Sequence, residues 1–158
     1  FAIFTVVVKN GGIISLGGIV DYQVSNGCML AQGASCIIAF IVCLLYLPAK
    51  LAAVPFDIPE AETEIIAGPY TEYSGVSLAI FKLTKAMLLF ALPIFVLTLF
   101  AKTAWTPWVI LWYLLILAFV ILVKNTNPRL RIDQALKLFW LPVLGLSIVG
   151  IILAAVGL

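Results

Sequence analysis

Carboxylates concentrate in one short segment of an otherwise apolar chain. Five of the seven acidic residues fall between Asp57 and Glu72, in the stretch VPFDIPEAETEIIAGPYTEYSG at residues 54–75. Partly desolvated carboxylates have protonation energies that respond to nearby charge, so such a row is suited to moving or sensing protons. A plainer interpretation stays open from spacing alone, because acids in a first helical turn favour the helix dipole and keep a loop soluble.

The pattern within this segment predicts a short helix. Asp57 is a suitable N-cap and Glu60 follows three residues later, as in a capping box. The Gly-Pro pair at 68–69 supplies a stop. Glu60 and Glu64 are four residues apart and share a helix face, whereas Glu62 points elsewhere.

The acidic segment belongs to a loop, 51–77, that is too polar to cross a bilayer. Each ionised carboxylate at mid-membrane costs about 2.5–3.5 kcal/mol. The loop has about 27 residues, and loops longer than about 12–15 tend to be functional or disordered. Apolar and aromatic residues, including Tyr70 and Tyr73, are interleaved with the acids. We therefore expect the loop to pack against another surface.

The composition defines the class of protein. Hydrophobic residues make up 65% of the 158 residues, charged residues 10%, and the mean hydropathy is +1.24. A soluble domain has about 25% charged residues, so we predict an all-α integral membrane protein. The net charge of +2 gives no indication of a nucleic-acid partner. The chain starts at Phe1 within an apolar run, and we expect it to be part of a longer protein.

Metal and cofactor chemistry finds little support in this chain. There is no histidine, and the three cysteines form no CxxC pair. Cys28, Cys36 and Cys43 fit better as small apolar residues of a membrane helix than as ligands of zinc or an iron–sulfur cluster. We therefore expect no metal or organic cofactor in this chain.

Hydropathy predicts a single membrane domain over 1–158, with four complete transmembrane helices and the end of a fifth. The end of a helix occupies 1–8, and the stretch ISLGGIVDYQ that follows reads as a short interfacial helix. The complete spans are predicted at 29–49, 78–100, 109–124 and 138–157.

Basic residues predict the orientation of these spans. The segment 124–137 carries four basic residues, against Lys102 alone in the turn 101–108. The segment 124–137 should therefore face the cytoplasm. Counting helices backwards places the loop 51–77 on the same side, so the two polar segments could form one docking surface.

Two pairs of charged residues lie at the starts of spans. Lys82 and Lys85 fall in the first turns of the span at 78–100. Lys85 is deeper, and an intramembrane lysine is a candidate functional residue whose expected partner is a loop carboxylate; the alternative is that both lysines reach the interface. Asp133 and Lys137 have the spacing of a helical surface pair.

Two motifs resemble a known family. VPFDIPEAETEIIAGPYTEYSG is similar to the signature loop of the membrane subunit next to the hydrophilic arm in respiratory complex I and its hydrogenase relatives. PRLRIDQALKLFWLP, residues 128–142, resembles the second polar motif of that family, before its last helix. The resemblance covers nearly the whole chain, which would correspond to about the C-terminal half of the family's subunit.

The resemblance implies an ion-translocating subunit that anchors an electron-transfer arm and couples its redox reaction to H⁺ or Na⁺ translocation. The multi-pass chain would lie in the cell membrane, with hydrogenase-like large and small subunits and antiporter-like membrane subunits as partners. Those partners would carry the NiFe centre and the iron–sulfur clusters. The implied docking residues are Arg129, Arg131, Tyr70 and Tyr73, and the implied coupling residues are Asp57, Glu60, Glu62, Glu64, Glu72, Lys85 and Asp133.

The branch of the family is read from the residues around Lys85. Complex I members carry Glu and Tyr near the position of LTK, 83–85, where this chain has FKLTKAM. The Gly-Pro of AGPYTEYSG resembles membrane-bound [NiFe] hydrogenases, so this branch is favoured. The alternatives are the quinone-site subunit of NADH:quinone oxidoreductase, a passive membrane anchor, and a secondary transporter. The last predicts internal repeats and paired broken helices, which the sequence lacks.

Overall fold

The computed structural model describes residues 1–57, 70, 72–101 and 107–157, and every regular element in these ranges is helical. The α-helices are α1 (Ala2–Lys9), α2 (Leu16–Asn26), α3 (Ala34–Lys50), α4 (Val76–Phe100), α5 (Pro107–Thr126), α6 (Ile132–Leu138) and α7 (Leu144–Val156). A 3₁₀ turn at Met29–Ala31 precedes α3, and a π-helical turn at Phe139–Val143 joins α6 to α7.

Small residues allow α1, α3 and α7 to pack closely. Gly150 of α7 is buried, and a Cβ added there would lie 3.4 Å from Ile38 Cγ2 and 3.8 Å from Thr5 Oγ1. Thr5 and Ser35 are fully buried at this contact. Small residues let helix backbones approach closely, which increases van der Waals packing. This packing drives helix association in lipid, where a hydrophobic driving force between helices is missing. Gly150 is therefore a position of the last span where close helix packing requires a small residue.

The C-terminal end of α4 is held by polar contacts. Gln23 of α2 is fully buried, and its side-chain amide donates to the carbonyl oxygens of Leu99 (2.8 Å) and Thr98 (3.2 Å). The Cys28 thiol donates to Phe100 O. These donors satisfy carbonyl groups at the C-terminus of α4 that have no partner within the helix. The short α2, predicted as an interfacial helix, therefore closes this end of the bundle.

The predicted span at 29–49 differs from what is observed. Met29–Ala31 forms a separate 3₁₀ turn, and the α-helix begins at Ala34. Gly33 separates the 3₁₀ turn from the α-helix, because its φ of 156° is a conformation that favours glycine. The resulting apolar helix, Ala34–Lys50, has 17 residues.

The last helix begins earlier than predicted. A continuous helix runs from Ile132 to Val156, six residues before the predicted start at 138. Gln134 stabilises its first turn, because its side-chain oxygen accepts from the Arg131 backbone N–H at 3.2 Å. Pro142 falls in the π-helical turn, where a residue without an N–H donor is accommodated.

Three helices in the described ranges are long and apolar enough to cross a membrane: Val76–Phe100, Trp108–Thr126 and Ile132–Val156. Helix α3 is apolar but shorter. The prediction of an all-α protein with helices that can cross a membrane is confirmed. The count of four complete spans stays a prediction.

Candidate functional site

Three consecutive residues at the start of the acidic loop each contact the segment at 129–139. The carbonyl oxygen of Pro55 accepts a hydrogen bond from Leu130 N at 3.1 Å. The ring of Phe56 lies 5.2 Å from the ring of Phe139, centroid to centroid. Asp57 Oδ2 is 3.1 Å from Arg129 Nη2. We call this set of three contacts the loop clasp.

The ion pair of the loop clasp is largely withdrawn from solvent. Asp57 as a whole is 9% exposed, and its side chain and that of Arg129 are 13% and 28% exposed. Charges removed from water are stabilised only while both partners stay. The pair therefore ties the two polar segments firmly to each other, although they lie far apart in the sequence.

The other described part of the loop rests on the first turns of α4. The rings of Tyr70 and Tyr73 lie 5.5 and 5.2 Å from the ring of Phe81. Lys85, one turn further along α4, places its Nζ 5.2 Å from the centroid of the Tyr70 ring. This distance is within the range of a cation–π interaction. Lys85 therefore contacts the loop through an aromatic face.

The charged groups that contact the two described parts of the loop interact electrostatically. The Asp57 carboxylate attracts the Lys85 ammonium, and the Lys124 ammonium at the end of α5 repels it. The start of α4, the end of α5 and the start of α6 therefore share one end of the bundle, which we call the polar end. Two cations, Arg129 in the segment between α5 and α6 and Lys85 on α4, contact the two described parts of the acidic loop.

A family model described as NADH dehydrogenase matches residues 1–155. The chain belongs to the NADH dehydrogenase family. This confirms the resemblance carried by the two motifs.

Curated relatives of this NADH dehydrogenase family chain are subunits of a respiratory enzyme. The H subunit of the NADH-quinone oxidoreductase of Geobacillus kaustophilus is 36% identical over 95% of the chain and 47% of the relative. The H subunit of the Bacteroides thetaiotaomicron enzyme is 33% identical over 98% of the chain and 48% of the relative. The chain spans about half the length of these relatives.

A solved structure has the same fold as this NADH dehydrogenase family chain. A chain of the membrane-bound sulfane sulfur reductase, an archaeal respiratory membrane complex, matches with a TM-score of 0.85 and 27% identity. The match covers 97% of this chain and 53% of that one. The relatives and the structural neighbour are subunits of multi-subunit respiratory complexes, and this chain is similar to both.

The remaining candidate residues of the family motifs are distributed unevenly. Glu72, Arg131 and Asp133 are exposed to solvent, and Tyr73 is exposed at the edge of the aromatic contact. Residues 58–69 lie outside the described ranges, and with them the predicted short helix and Glu60, Glu62 and Glu64. The predicted pairing of Lys85 with a loop carboxylate stays a prediction.

Sequence reasoning misses the apolar half of the site. The sequence pattern marks Phe56 only as one of several interleaved apolar residues, and it does not single out Phe81 or Phe139. The available signal is the position of Phe56 beside Asp57, because residues that flank a buried ion pair have to exclude water from it.

The described part of this NADH dehydrogenase family chain contains no cluster of metal-ligating side chains. No group of three His, Cys, Asp or Glu side chains that could hold a metal ion occurs within the described ranges. The three cysteines are free thiols on or before the apolar helix α3. The arrangement is one of paired charges and aromatic rings, which is suited to electrostatic coupling.

Proposed function

We propose that this chain is the coupling subunit of a membrane-bound [NiFe] hydrogenase-type respiratory complex. In this proposal it anchors the electron-transfer arm and links its redox reaction to H⁺ or Na⁺ translocation. The chain itself carries out no redox step. Its role is to respond, through charged side chains, to a change of charge in the arm.

The observation that carries this proposal is the arrangement at the polar end. The acidic loop is joined to the second family motif by the loop clasp, and to a membrane-spanning helix by the contact between Tyr70 and Lys85. An intramembrane lysine in contact with an acidic loop is a feature of ion pathways. A passive anchor would not require charges at such positions, because unpaired buried charges are costly.

In this mechanism the loop acids Asp57, Glu60, Glu62, Glu64 and Glu72 form a charge-sensing relay, together with Lys85 and Asp133. A charge that appears in the arm shifts the protonation energies of nearby carboxylates, because Coulomb interactions are strong where water is excluded. The exposed side chains of Arg131 and Tyr73 are available for docking the arm. Arg129 and Tyr70, also docking candidates, hold the loop in place.

The four-span topology is part of the proposal. Helix α3 has 17 residues and is about 26 Å long, at the short limit of a membrane-spanning helix. With α3 counted, the polar end faces the cytoplasm, in agreement with the basic residues at 124–137. The partners are then hydrogenase-like large and small subunits, which carry the NiFe centre and iron–sulfur clusters, and antiporter-like subunits in the cell membrane.

A second function has support of its own. The curated relatives are NADH-quinone oxidoreductase subunits, and the Geobacillus kaustophilus relative is 36% identical. This similarity favours a quinone-site subunit of NADH:quinone oxidoreductase. The lysines of FKLTKAM and the Gly-Pro of AGPYTEYSG favour the first proposal. Either way, the coupling role of the polar end is the same.

The test is to isolate the complex through an affinity tag on the full-length subunit. We expect nickel and a hydrogenase-like large subunit to co-purify, and ion uptake to accompany electron transfer in sealed vesicles. Quinone reduction without nickel would transfer the assignment to the second function. Electron transfer without ion uptake in tight vesicles would contradict coupling in both.

A further inference from the structure

The inward face of the last helix has a spacing that a regular α-helix cannot keep. Ala135, Phe139, Val143 and Ser147 follow one another at intervals of four residues. Three of them are buried, and Phe139 packs against the buried core. In an α-helix with 3.6 residues per turn, each interval of four residues turns the face by about 40°, so Ala135 would lie about 120° away from Ser147. Another feature must therefore keep these residues on one side.

The π-helical turn at Phe139–Val143 corrects this rotation. A π-turn closes its hydrogen bond five residues back instead of four, so it takes up about one residue more than a turn of α-helix. Within the turn, Trp140 and Leu141 lie on the outer side, where they are 70% and 72% exposed. The turn therefore brings the inward face of α6 into line with that of α7.

This alignment directs the ring of Phe139 toward the loop clasp. The centroid of the ring lies 5.2 Å from that of Phe56. The residue before Phe56 accepts the backbone hydrogen bond of the clasp, and the residue after it, Asp57, makes the ion pair with Arg129. The ring contact therefore fixes the residue that stands between the two polar contacts. π-Turns inside α-helices are frequent at functional sites.

We propose that Phe139 is a positioning residue for the Asp57–Arg129 ion pair, and that the π-helical turn is the register element that gives it this role. Phe139 acts through Phe56, which it holds in place at the start of the acidic loop. A rotation of the last membrane helix is thereby transmitted to the ion pair. The positioning role is independent of the proposed function, whereas its effect on ion uptake rests on that function.

The test is hydrogen exchange at the Leu130 amide in the purified complex, followed by mass spectrometry. This N–H donates to Pro55 O across the clasp, so it exchanges when the clasp opens. Phe139→Ala should raise its exchange rate about fivefold, which corresponds to about 1 kcal/mol and is the size of an aromatic pair. Phe139→Leu should restore part of the protection. Trp140→Ala is the matched control, since Trp140 is the next aromatic residue and is exposed.

The register of the turn is tested by deletion of Leu141. The deletion should convert the π-turn into α-helix and rotate α6, so that exchange at Leu130 rises at least as much as in Phe139→Ala. Leu141→Ala is the control, because it removes the same side chain and keeps the number of residues. If the deletion prevents assembly, the double variant Phe139→Ala/Trp140→Phe replaces it. It moves the ring by one residue at constant length and should not restore protection.

Equal exchange at Leu130 in Phe139→Ala and Trp140→Ala would overturn the positioning role, as would an equal rise in peptides of α2, which lies at the other end of the bundle. A deletion of Leu141 with no more effect than Leu141→Ala, or full protection by the displaced ring, would overturn the role of the π-turn.

Ions taken up per electron in sealed vesicles are measured on the same variants. Phe139→Ala should lower this ratio about fivefold, and Trp140→Ala should not change it. An unchanged ratio in Phe139→Ala would overturn the transmission to ion uptake. Should the unsubstituted complex take up no ions, the proposed function fails, while the exchange measurements still decide the positioning role.

Discussion

Asp57 shows how the chemistry of a residue depends on its neighbours. The sequence predicts it as one of five loop acids and as a helix N-cap, and the structure gives it a partner, Arg129, and a largely buried position. The sequence places both residues in polar segments of the same orientation. It cannot predict their pairing, because the pair depends on how two non-helical segments approach each other in space.

The first prediction concerns the cost of breaking this pair. Arg129→Met should destabilise the assembled complex by about 3 kcal/mol, because it leaves the Asp57 carboxylate buried without its cation. Lys50→Met is the control, since Lys50 is an exposed cation at the end of α3, and it should change stability by less than about 0.5 kcal/mol. Thermal unfolding of the purified complex measures both.

Adding Asp57→Asn to Arg129→Met should recover part of the lost stability, because it removes the orphaned charge. Equal effects of Arg129→Met and Lys50→Met would show that the loop clasp does not depend on the ion pair.

At the scale of the elements, hydropathy predicts which segments are helical but not where they begin. The predicted span at 29–49 starts instead at Ala34, because Gly33 breaks the helix. The last helix starts at Ile132, earlier than predicted. Hydropathy misses these first turns because α6 is polar and amphipathic. The π-helical turn at Phe139–Val143 has no periodicity signal in so apolar a stretch, and it carries the ring that contacts Phe56.

The second prediction tests the packing of α1, α3 and α7. Gly150→Ala should be tolerated, because a Cβ there meets Ile38 Cγ2 at 3.4 Å, an ordinary van der Waals contact. Gly150→Leu should separate the helices and lower the amount of folded subunit in membranes at least about fivefold, corresponding to overpacking by 1–3 kcal/mol. The measurement is immunoblotting of membranes, together with detergent stability.

Gly145→Leu is the control on the same helix, since a Cβ at Gly145 meets no described atom within 4 Å. A Gly150→Leu protein as abundant and stable as the Gly145→Leu protein would contradict close packing at Gly150.

At the scale of the whole molecule, the chain presents apolar surface that a bilayer or partner subunits must cover. In Trp108–Thr126 only 11% of an apolar 18-residue stretch is buried within the chain. The corresponding share in Ile132–Val156 is 22%. Composition alone predicts this, because a chain so rich in hydrophobic residues cannot enclose them all. What covers each helix cannot be predicted, because apolar faces toward lipid and toward a partner have the same composition.

The third prediction concerns topology. Residues 51–77 and 125–137 should face the cytoplasm and 101–107 the opposite side. Single cysteines at Thr103 and Asn127, introduced after replacement of the three native cysteines, should react with a membrane-impermeant thiol reagent from opposite sides of sealed vesicles. Labelling of both positions from one side would contradict the arrangement.

The central claim is that the acidic loop couples electron transfer to ion movement, and its most direct test is the number of ions taken up per electron in Glu60→Gln vesicles. Electron transfer and ion uptake are measured together, with Glu62→Gln as the control, because Glu62 is predicted to lie on another helix face. We expect Glu60→Gln to retain electron transfer while ion uptake per electron falls about tenfold, which corresponds to about 1.4 kcal/mol, with a weaker effect for Glu62→Gln. A Glu60→Gln complex that takes up ions at the unsubstituted ratio would contradict the relay at that residue.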